Sequence, residues 1–355
     1  MCRAMDWLIQ SRDARGLSYI QQGDWCDPMN MVGYKGKGVS AWLTLATAYA
    51  LNVSQFLCDL KNDSERKEYF RQSASDCNQA VNDSLWKHRW YARGITDDGR
   101  TFGVEENNEG KIFLNPQSWA MLSGAASSEK IHSMLSAIDE HLDSDYGVAM
   151  LAPAFTGMVE DIGRVTQKFP GSAENGSIYN HAAAFYAYAL YLKAAQYRDD
   201  EKLSQELADR AYKVLMKMLP SDAPGDVIQR GQLPIFIPNY YRGAVKQFPK
   251  TAGRSSQLFN TGTVHWYLRC LVEGLFGLKG EGDSLLVMPN LPSEWSKART
   301  ERRFRGALFQ VDYHRSENAQ KIEIFVNGKK ISGHKISNIE NNEKYSVHVV
   351  LPSRQ

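Results

Sequence analysis

One short loop near the start of the sequence carries the residues best suited to acid chemistry. The run from Gly23 to Gly38 reads GDWCDPMNMVGYKGKG and places Asp24 and Asp27 on either side of Trp25. An Asp-Pro step disfavours helix, so Asp27 is predicted to lie in an irregular loop. A carboxyl group beside an aromatic ring keeps its proton near neutral pH, because burial disfavours the charged form. We interpret one carboxylate as a general acid and Trp25 as a face that stacks on a sugar. The alternative is that both acids cap turns and the indole packs in the core.

Two further motifs could bind an anion at the start of a helix. The first is AENGSIYNH, residues 173–181, which contains Glu174 and ends in His181 just before an alanine-rich stretch. The second is NTGT, residues 260–263, in which Thr261 and Gly262 precede another apolar stretch. Free N–H groups at a helix N-terminus attract phosphate, and a hydroxyl or imidazole placed there adds a donor. Each motif taken singly also fits a structural role, as a packing histidine or an ordinary helix cap.

A pair of cations lies upstream of Glu174. Arg164 and Lys168 stand four residues apart in GRVTQKFPG. Arg binds a carboxylate through its planar fork and Lys through a point charge, so the two could converge on one acidic ligand. The alternative is a solvated basic face.

The charge balance and the cysteines exclude several classes of partner. Lys and Arg number 42 and Asp and Glu number 40, so neither nucleic acid nor an anionic membrane is expected. The five cysteines have no CxxC or Cys/His spacing, so neither a disulfide framework nor a metal site is indicated. This use of cysteine favours a reducing cytoplasm, which is the location we expect. The N-terminus has no apolar signal core, and no apolar stretch reaches the ~20 residues needed to span a bilayer.

Hydrophobic periodicity predicts a mainly helical chain followed by a small β domain. Eight helices are expected, several as antiparallel pairs joined by loops, at residues 4–12, 39–60, 64–86, 115–125, 128–142, 182–197, 202–219 and 263–278. Four alternating segments follow, at residues 284–288, 308–313, 321–326 and 345–351. We predict an α/α toroid-type helical portion over residues 1–278 and a small antiparallel β-sandwich over residues 279–355.

The four motifs, taken in order, resemble those of glycoside hydrolase family 94, the inverting disaccharide phosphorylases. The resemblance covers essentially the whole chain but corresponds to the C-terminal half of the family's proteins, which form a twelve-helix (α/α)6 barrel. It implies that Asp27 is the proton donor, that His181, Thr261 and Gly262 contact phosphate, and that Glu174 contacts sugar hydroxyls. The Arg and Asp groups that hold the sugar at the cleaved side are expected in the other half.

The resemblance also implies a substrate. Family members that act on cellobionic acid have an Arg and a Lys that hold the carboxylate of gluconate, and these map onto Arg164 and Lys168. The expected reaction is reversible phosphorolysis of 4-O-β-D-glucosyl-D-gluconate to α-D-glucose 1-phosphate and D-gluconate. No metal or organic cofactor is implied, inorganic phosphate is the co-substrate, and a homodimer is common in the family.

Three other functions stay open from the sequence. A phosphorylase of cellobiose or N,N'-diacetylchitobiose would use the same acid and phosphate residues with a neutral acceptor. A hydrolase on a related helical toroid would release sugar without phosphate. A non-catalytic carbohydrate-binding fragment would bind sugar without turnover.

Overall fold

The fold has two compact units. The structure is a computed structural model that describes residues 1–221, 224–256 and 261–353. The first unit comprises residues 1–189 and 214–264, and the second comprises residues 190–213 and 265–355. The predicted boundary near residue 278 stays a prediction. Within the described residues, no helix is both long and apolar enough to cross a membrane.

Helices dominate the first 270 residues, as the periodicity predicts. The described part of the chain has nine α-helices: α1 Cys2–Gln10, α2 Ala41–Leu60, α3 Ser64–Leu85, α4 Leu114–Ser123, α5 Ser128–His141, α6 Asn180–Gln196, α7 Glu201–Met218, α8 Val227–Arg230 and α9 Thr263–Arg269. A 3-10 helix spans Arg164–Gln167, and a π-helix spans Cys270–Leu275 directly after α9.

Side-chain caps explain where the first helices begin. The Ser40 hydroxyl accepts the Leu43 N–H at the start of α2, and the Asp63 carboxylate accepts the Arg66 N–H at the start of α3. Helices α2 and α3 pack along their length as the predicted hairpin. Their shared core also receives α1 and consists of Ile9, Ala48, Leu51, Cys58, Phe70, Ala74 and Cys77. Burial of this apolar stripe supplies most of the stability of such a helix pair.

Short strands connect the helices of the first unit. The ten that lie in its described residues each have two residues: β1 Val39–Ser40, β2 Trp86–Lys87, β3 Trp90–Tyr91, β4 Gly94–Ile95, β5 Thr101–Phe102, β6 Ile112–Phe113, β7 Leu151–Ala152, β8 Ile178–Tyr179, β9 Tyr240–Tyr241 and β10 Ser255–Ser256. Strand β9 lies between β8 and β10, with both pairs antiparallel. This three-stranded sheet holds residue 179, immediately before α6, next to residue 240.

The second unit contains the longer strands. These are β11 Leu278–Glu281, β12 Ser284–Val287, β13 Lys297–Phe304, β14 Ala307–Ser316, β15 Glu323–Val326, β16 Lys329–Lys330, β17 Lys335–Ile336 and β18 Lys344–Pro352. One sheet has the order β11-β12-β17, and the other has the order β13-β14-β18-β15-β16.

The prediction of a purely antiparallel sheet is wrong, because the five-stranded sheet is mixed. Strands β14 and β18 pair in parallel, with Leu308 opposite Lys344 and Ser316 opposite Pro352. Residues 317–343 lie between the two strands, which is enough chain for the crossover that a parallel pair needs. An alternating pattern shows which face of a strand is buried but carries no information about its direction.

Two further features of this region differ in detail from the sequence-based expectation. The charged segment KARTERRF forms strand β13, although its many charges hide the alternation in the sequence. The predicted helix over 263–278 is helical to Leu275, first as α-helix to Arg269 and then as π-helix, and only its last predicted residue, Leu278, lies in strand β11.

Candidate active site

The loop from Gly23 to Gly38 separates its two aspartates by environment. The Asp24 carboxylate accepts hydrogen bonds from the Cys26 N–H at 2.9 Å and from the Ser40 hydroxyl at 2.6 Å. Arg93 Nη2 donates to both carboxylate oxygens, each at 2.7 Å. The side chains of Asp24 and Arg93 are 0% and 2% exposed. Asp24 is therefore a fully bonded, buried ion-pair partner, and it fixes the loop to the segment that contains Arg93.

Asp27 is the acid that remains accessible. Its side chain is exposed, whereas Cys26, Pro28 and Met29 around it are buried. Within the described chain, no donor forms a hydrogen bond or ion pair with the Asp27 carboxylate. The backbone of Gly23 packs against that of Asp27, since a Cβ on Gly23 would lie 3.2 Å from the Asp27 carbonyl oxygen. The φ angle of Gly23 is +150°. The loop thus presents one carboxyl group to solvent on a tightly closed backbone.

Trp25 joins the acid loop to the second motif. Its ring contacts Tyr179 at 5.2 Å, His181 at 5.4 Å and Phe185 at 5.9 Å between centroids, each in edge geometry. Edge contacts of this kind add about 0.5–1.5 kcal/mol to the burial of the rings. Trp25 is partly exposed, so part of its ring is free to meet a ligand.

The second and third motifs meet at His181. Its Nδ1 lies 2.9 Å from Thr261 Oγ1, and the Gly262 N–H donates to the same nitrogen at 3.3 Å. A Cβ on residue 262 would lie 2.4 Å from His181 Nε2, so glycine is required for this approach. Burial lowers the pKa of His181 to about 4, which leaves the ring neutral at pH 7. Asn260, which opens the third motif, lies outside the described residues.

The basic pair lies against the acid loop. The Arg164 N–H donates to Asn30 Oδ1 at 3.1 Å, and the Val165 N–H donates to the Pro28 carbonyl at 2.9 Å. The Arg164 side chain is exposed, while Lys168 follows the 3-10 helix and forms an ion pair of 2.6 Å with Glu174. The structure thus places the lysine predicted to hold a carboxylate on the glutamate predicted to hold sugar hydroxyls.

Several residues that complete this site were not singled out from the sequence. Arg93 holds Asp24, Asn239 Nδ2 donates to the Tyr179 hydroxyl at 3.0 Å, and Phe185 contacts His181 at 4.5 Å between ring centroids. Tyr179 lies inside the second motif, and Phe185 lies one helical turn after His181. Their positions in the sequence could therefore have indicated that both line the site. Nothing in the sequence around Arg93 or Asn239 indicates a partner so distant along the chain. Among the described residues, no group of three or more His, Cys, Asp or Glu could hold a metal ion.

The chain matches one protein family over most of its length. Residues 1–277 match the family model for the glycosyl hydrolase 94 superfamily, catalytic domain. Over 99% of its length the chain is 54% identical to the cellobionic acid phosphorylase of Neurospora crassa, of which it covers 43%. It is 36% identical over 87% of its length to the 3-O-beta-D-glucopyranosyl-beta-D-glucuronide phosphorylase of Paenibacillus borealis, covering 38% of that protein. It is 28% identical over 93% of its length to the N,N'-diacetylchitobiose phosphorylase of Vibrio furnissii, covering 40% of that protein. The chain therefore spans about two fifths of the length of these relatives. The matched family model covers most of this chain, which belongs to the glycosyl hydrolase 94 superfamily.

Proposed function

We propose that this chain carries the acid and phosphate half of an inverting phosphorylase that cleaves cellobionic acid to α-D-glucose 1-phosphate and D-gluconate. Phosphate attacks the anomeric carbon from one face of the ring, and the bond to the gluconate oxygen breaks on the other. Asp27 gives its proton to the departing oxygen. Phosphate is already an anionic nucleophile, so the second carboxylate that an inverting hydrolase uses to activate water is not needed. The helical portion is proposed to form part of an (α/α)6 barrel.

The proposal rests mainly on one contact, in which His181 meets Thr261 and Gly262. Trp25 connects this contact to the acid loop. These residues come from three separate parts of the sequence, and their convergence supports a single pocket. Imidazole, hydroxyl and glycine N–H groups at the starts of α6 and α9 are suited to holding an anion. Asp27 stands two residues from Trp25 with no partner of its own among the described residues, which suits a group that must exchange a proton with substrate.

An acidic acceptor is supported by the basic pair and by two relatives. Arg164 and Lys168 offer two cations beside the acid loop. The substrates after which the Neurospora cellobionic acid phosphorylase and the Paenibacillus glucuronide phosphorylase are named both carry a carboxylate. We propose that the gluconate carboxylate binds Arg164 and competes with Glu174 for Lys168, while Glu174 turns to the sugar hydroxyls.

The decisive experiment is phosphate-dependent release of glucose 1-phosphate from cellobionate, cellobiose and N,N'-diacetylchitobiose. It uses the 355-residue chain and, in parallel, the longest polypeptide that its gene encodes. Asp27→Asn should reduce turnover of cellobionate by roughly 10²–10⁴-fold, as expected for loss of a general acid. Asp98→Asn is the matched control, because Asp98 is an exposed carboxylate paired only with Lys35 in the described chain. Sugar release without phosphate would instead identify a hydrolase, and binding without turnover in both polypeptides a non-catalytic module.

The acceptor is tested by neutralising the basic pair. Arg164→Gln and Lys168→Gln should each raise KM for cellobionate while leaving activity on cellobiose, where measurable, nearly unchanged. An equal loss on every acceptor would show that the pair has a structural role and would remove the support for cellobionic acid. Arg71→Gln is the matched control, since Arg71 is an exposed arginine that pairs with Glu68 within α3.

A further inference from the structure

We propose that Asn30 is a positioning residue, which caps the short helix that begins at Arg164 and so holds the Arg164 guanidinium where it can bind the acceptor carboxylate. The role of the acceptor rests on the proposed function, whereas the cap itself does not. Asn30 belongs to the acid loop, residues 23–38, and lies three residues after Asp27. One loop thus sets the positions of both the proton donor and the acceptor-binding cation.

The 3-10 helix over Arg164–Gln167 has no capping side chain of its own. The first N–H groups of a helix lack partners within the helix, and a Ser, Thr, Asp or Asn just before it often accepts one of them. The residue in that place is Gly163, which has no side chain to offer. The accepting oxygen comes instead from Asn30, 134 residues earlier, since the Arg164 N–H donates to Asn30 Oδ1 at 3.1 Å. A distant loop therefore does the work of a local cap.

Two backbone hydrogen bonds flank this cap and join the same two segments. The Val165 N–H donates to the Pro28 carbonyl at 2.9 Å, and the Met31 N–H donates to the Ile162 carbonyl at 3.3 Å. Ile162 and Val165 are also buried in the same hydrophobic cluster as Met29 of the acid loop. Of these three hydrogen bonds, the one to Asn30 uses a side chain, so substitution can remove it and leave the other two.

Gly163 leaves the space that the Asn30 side chain fills. A Cβ on residue 163 would lie 2.5 Å from Asn30 Oδ1, well inside contact distance. The φ of Gly163 is +107°, a conformation that favours glycine over other residues. The glycine before the helix thus loses the chance to cap it and admits the cap from the acid loop instead.

Arg164 has a fixed backbone and a free guanidinium. Its side chain is exposed, and within the described part of the chain no carboxylate lies at ion-pair distance from it. Lys168, the other member of the basic pair, is already paired with Glu174 at 2.6 Å. A guanidinium binds a carboxylate best through two parallel hydrogen bonds, and holding its backbone reduces the ordering that binding requires. The cap therefore acts on affinity for the acidic acceptor, through Arg164.

The kinetic test is a double-mutant cycle between Asn30 and Arg164, in which KM for cellobionate is measured. Asn30→Leu should raise this KM roughly three- to tenfold, the effect of about one net hydrogen bond, with kcat and KM for phosphate nearly unchanged. In the Arg164→Gln background, Asn30→Leu should have no further effect, because Asn30 acts through that guanidinium. Additive effects in the cycle, or an equal rise of KM for cellobiose, would overturn the proposal.

Asn107→Leu is the matched control for a purely structural role. The Asn107 side-chain oxygen also accepts backbone N–H groups, those of Gly103 at 2.9 Å and Val104 at 3.2 Å, in another loop of the first unit. Its loss should lower stability without changing KM for cellobionate relative to cellobiose. The same change of that ratio in Asn107→Leu and Asn30→Leu would show a general structural effect and contradict the proposal.

Amide hydrogen exchange of the 355-residue chain, followed by NMR, tests the cap without turnover. The Arg164 N–H should exchange roughly three- to tenfold faster in Asn30→Leu, whereas Asn30→Asp keeps an accepting oxygen and should keep exchange slow. Unchanged exchange in Asn30→Leu would refute the cap. If no polypeptide shows phosphorolysis, the exchange result still decides the cap, and the Kd for gluconate replaces KM as the measure of acceptor affinity. Failure of the proposed function and failure of this inference are therefore distinguishable.

Gly163→Ala perturbs the same contact from the other side. The new Cβ would push Asn30 Oδ1 away, so this variant should raise KM for cellobionate and speed exchange at Arg164, as Asn30→Leu does. Gly157→Ala is the control, because a Cβ on Gly157 would meet open space. A Gly163→Ala protein with the KM and the exchange rate of the unmodified protein would show that the contact is not needed.

Discussion

Removing the Asp24 carboxylate should destabilise the first unit by several kcal/mol. In Asp24→Ala, the Arg93 guanidinium loses both contacts of 2.7 Å and keeps, among the described residues, only Ser40 as a side-chain partner, at 2.9 Å. Arg93 is 2% exposed, so water does not replace the lost carboxylate. Breaking a buried pair by removing one partner costs about 3–5 kcal/mol, mostly because a charge is left buried and uncompensated.

The assay is urea denaturation followed by tryptophan fluorescence. With a slope of about 3 kcal/mol per molar urea, this loss lowers the midpoint by roughly 1–1.7 M. Arg93→Met combined with Asp24→Ala should recover part of the loss, because no unpaired charge remains, and the double-mutant cycle should give a coupling energy of roughly 2 kcal/mol or more. Asp98→Ala removes an exposed partner of Lys35 and should cost below about 1 kcal/mol.

The refuting result is a midpoint for Asp24→Ala that matches that of Asp98→Ala. It would mean that the loop opens to let water reach Arg93 at little cost. Asp24 would then not fix the acid loop, and the separation of the two aspartates by environment would lose its basis.

Three further predictions concern the same unit. Of the five thiols, only Cys2 is exposed, and burial raises the pKa of the Cys26 thiol far above its usual range. The folded protein should therefore react rapidly with about one equivalent of iodoacetamide, and mass mapping should place the label on Cys2. Rapid labelling of Cys26 would show that the acid loop is open. Gly262→Ala should raise KM for phosphate by roughly tenfold or more, since the new Cβ would displace the imidazole, whereas Gly157→Ala, with open space around it, should not. Burial acts to raise the pKa of Asp97, but three backbone N–H donors of the acid loop outweigh it, so the pKa is lowered. That stabilisation is present above pH ~4 and is lost as pH falls through the lowered pKa, so Asp97→Asn should cost about 1–2 kcal/mol at pH 7 and progressively less below pH 4 in urea melts.

The helices were predictable because their ends carry local signals. Helix α3 was predicted over 64–86 and spans Ser64–Leu85, with Asp63 as its cap. The end of α9 was not predictable in this way. A Cβ on Gly274 would lie 2.5 Å from the Tyr191 ring, and this close approach between distant segments accompanies the change to π-helix over Cys270–Leu275. Local propensity contains no information about such contacts.

The residues of the candidate site that lie in short continuous sequence motifs could be predicted from the sequence. The sequence predicted a role for His181, Thr261 and Gly262 together, and the structure places them in contact. The sequence could not show that Lys168 pairs with Glu174, because spacing alone does not reveal which way a 3-10 helix directs the next side chain. Arg93 was missed for a similar reason, since it joins Asp24 only through folding.

The two aspartates of one loop have identical side chains but different environments in the fold. Asp24 accepts hydrogen bonds from a guanidinium, a hydroxyl and a backbone N–H, which together hold its side chain in place. Asp27, three residues on, has no such donors among the described residues and stays accessible. A group that gives up a proton and regains it in each turnover cannot be locked in a permanent ion pair. We propose that Asp24 fixes the loop and so allows Asp27 to be both unpaired and placed for the proposed proton transfer. Loss of the Asp24 carboxylate should then lower turnover although Asp24 does not contact the Asp27 carboxylate.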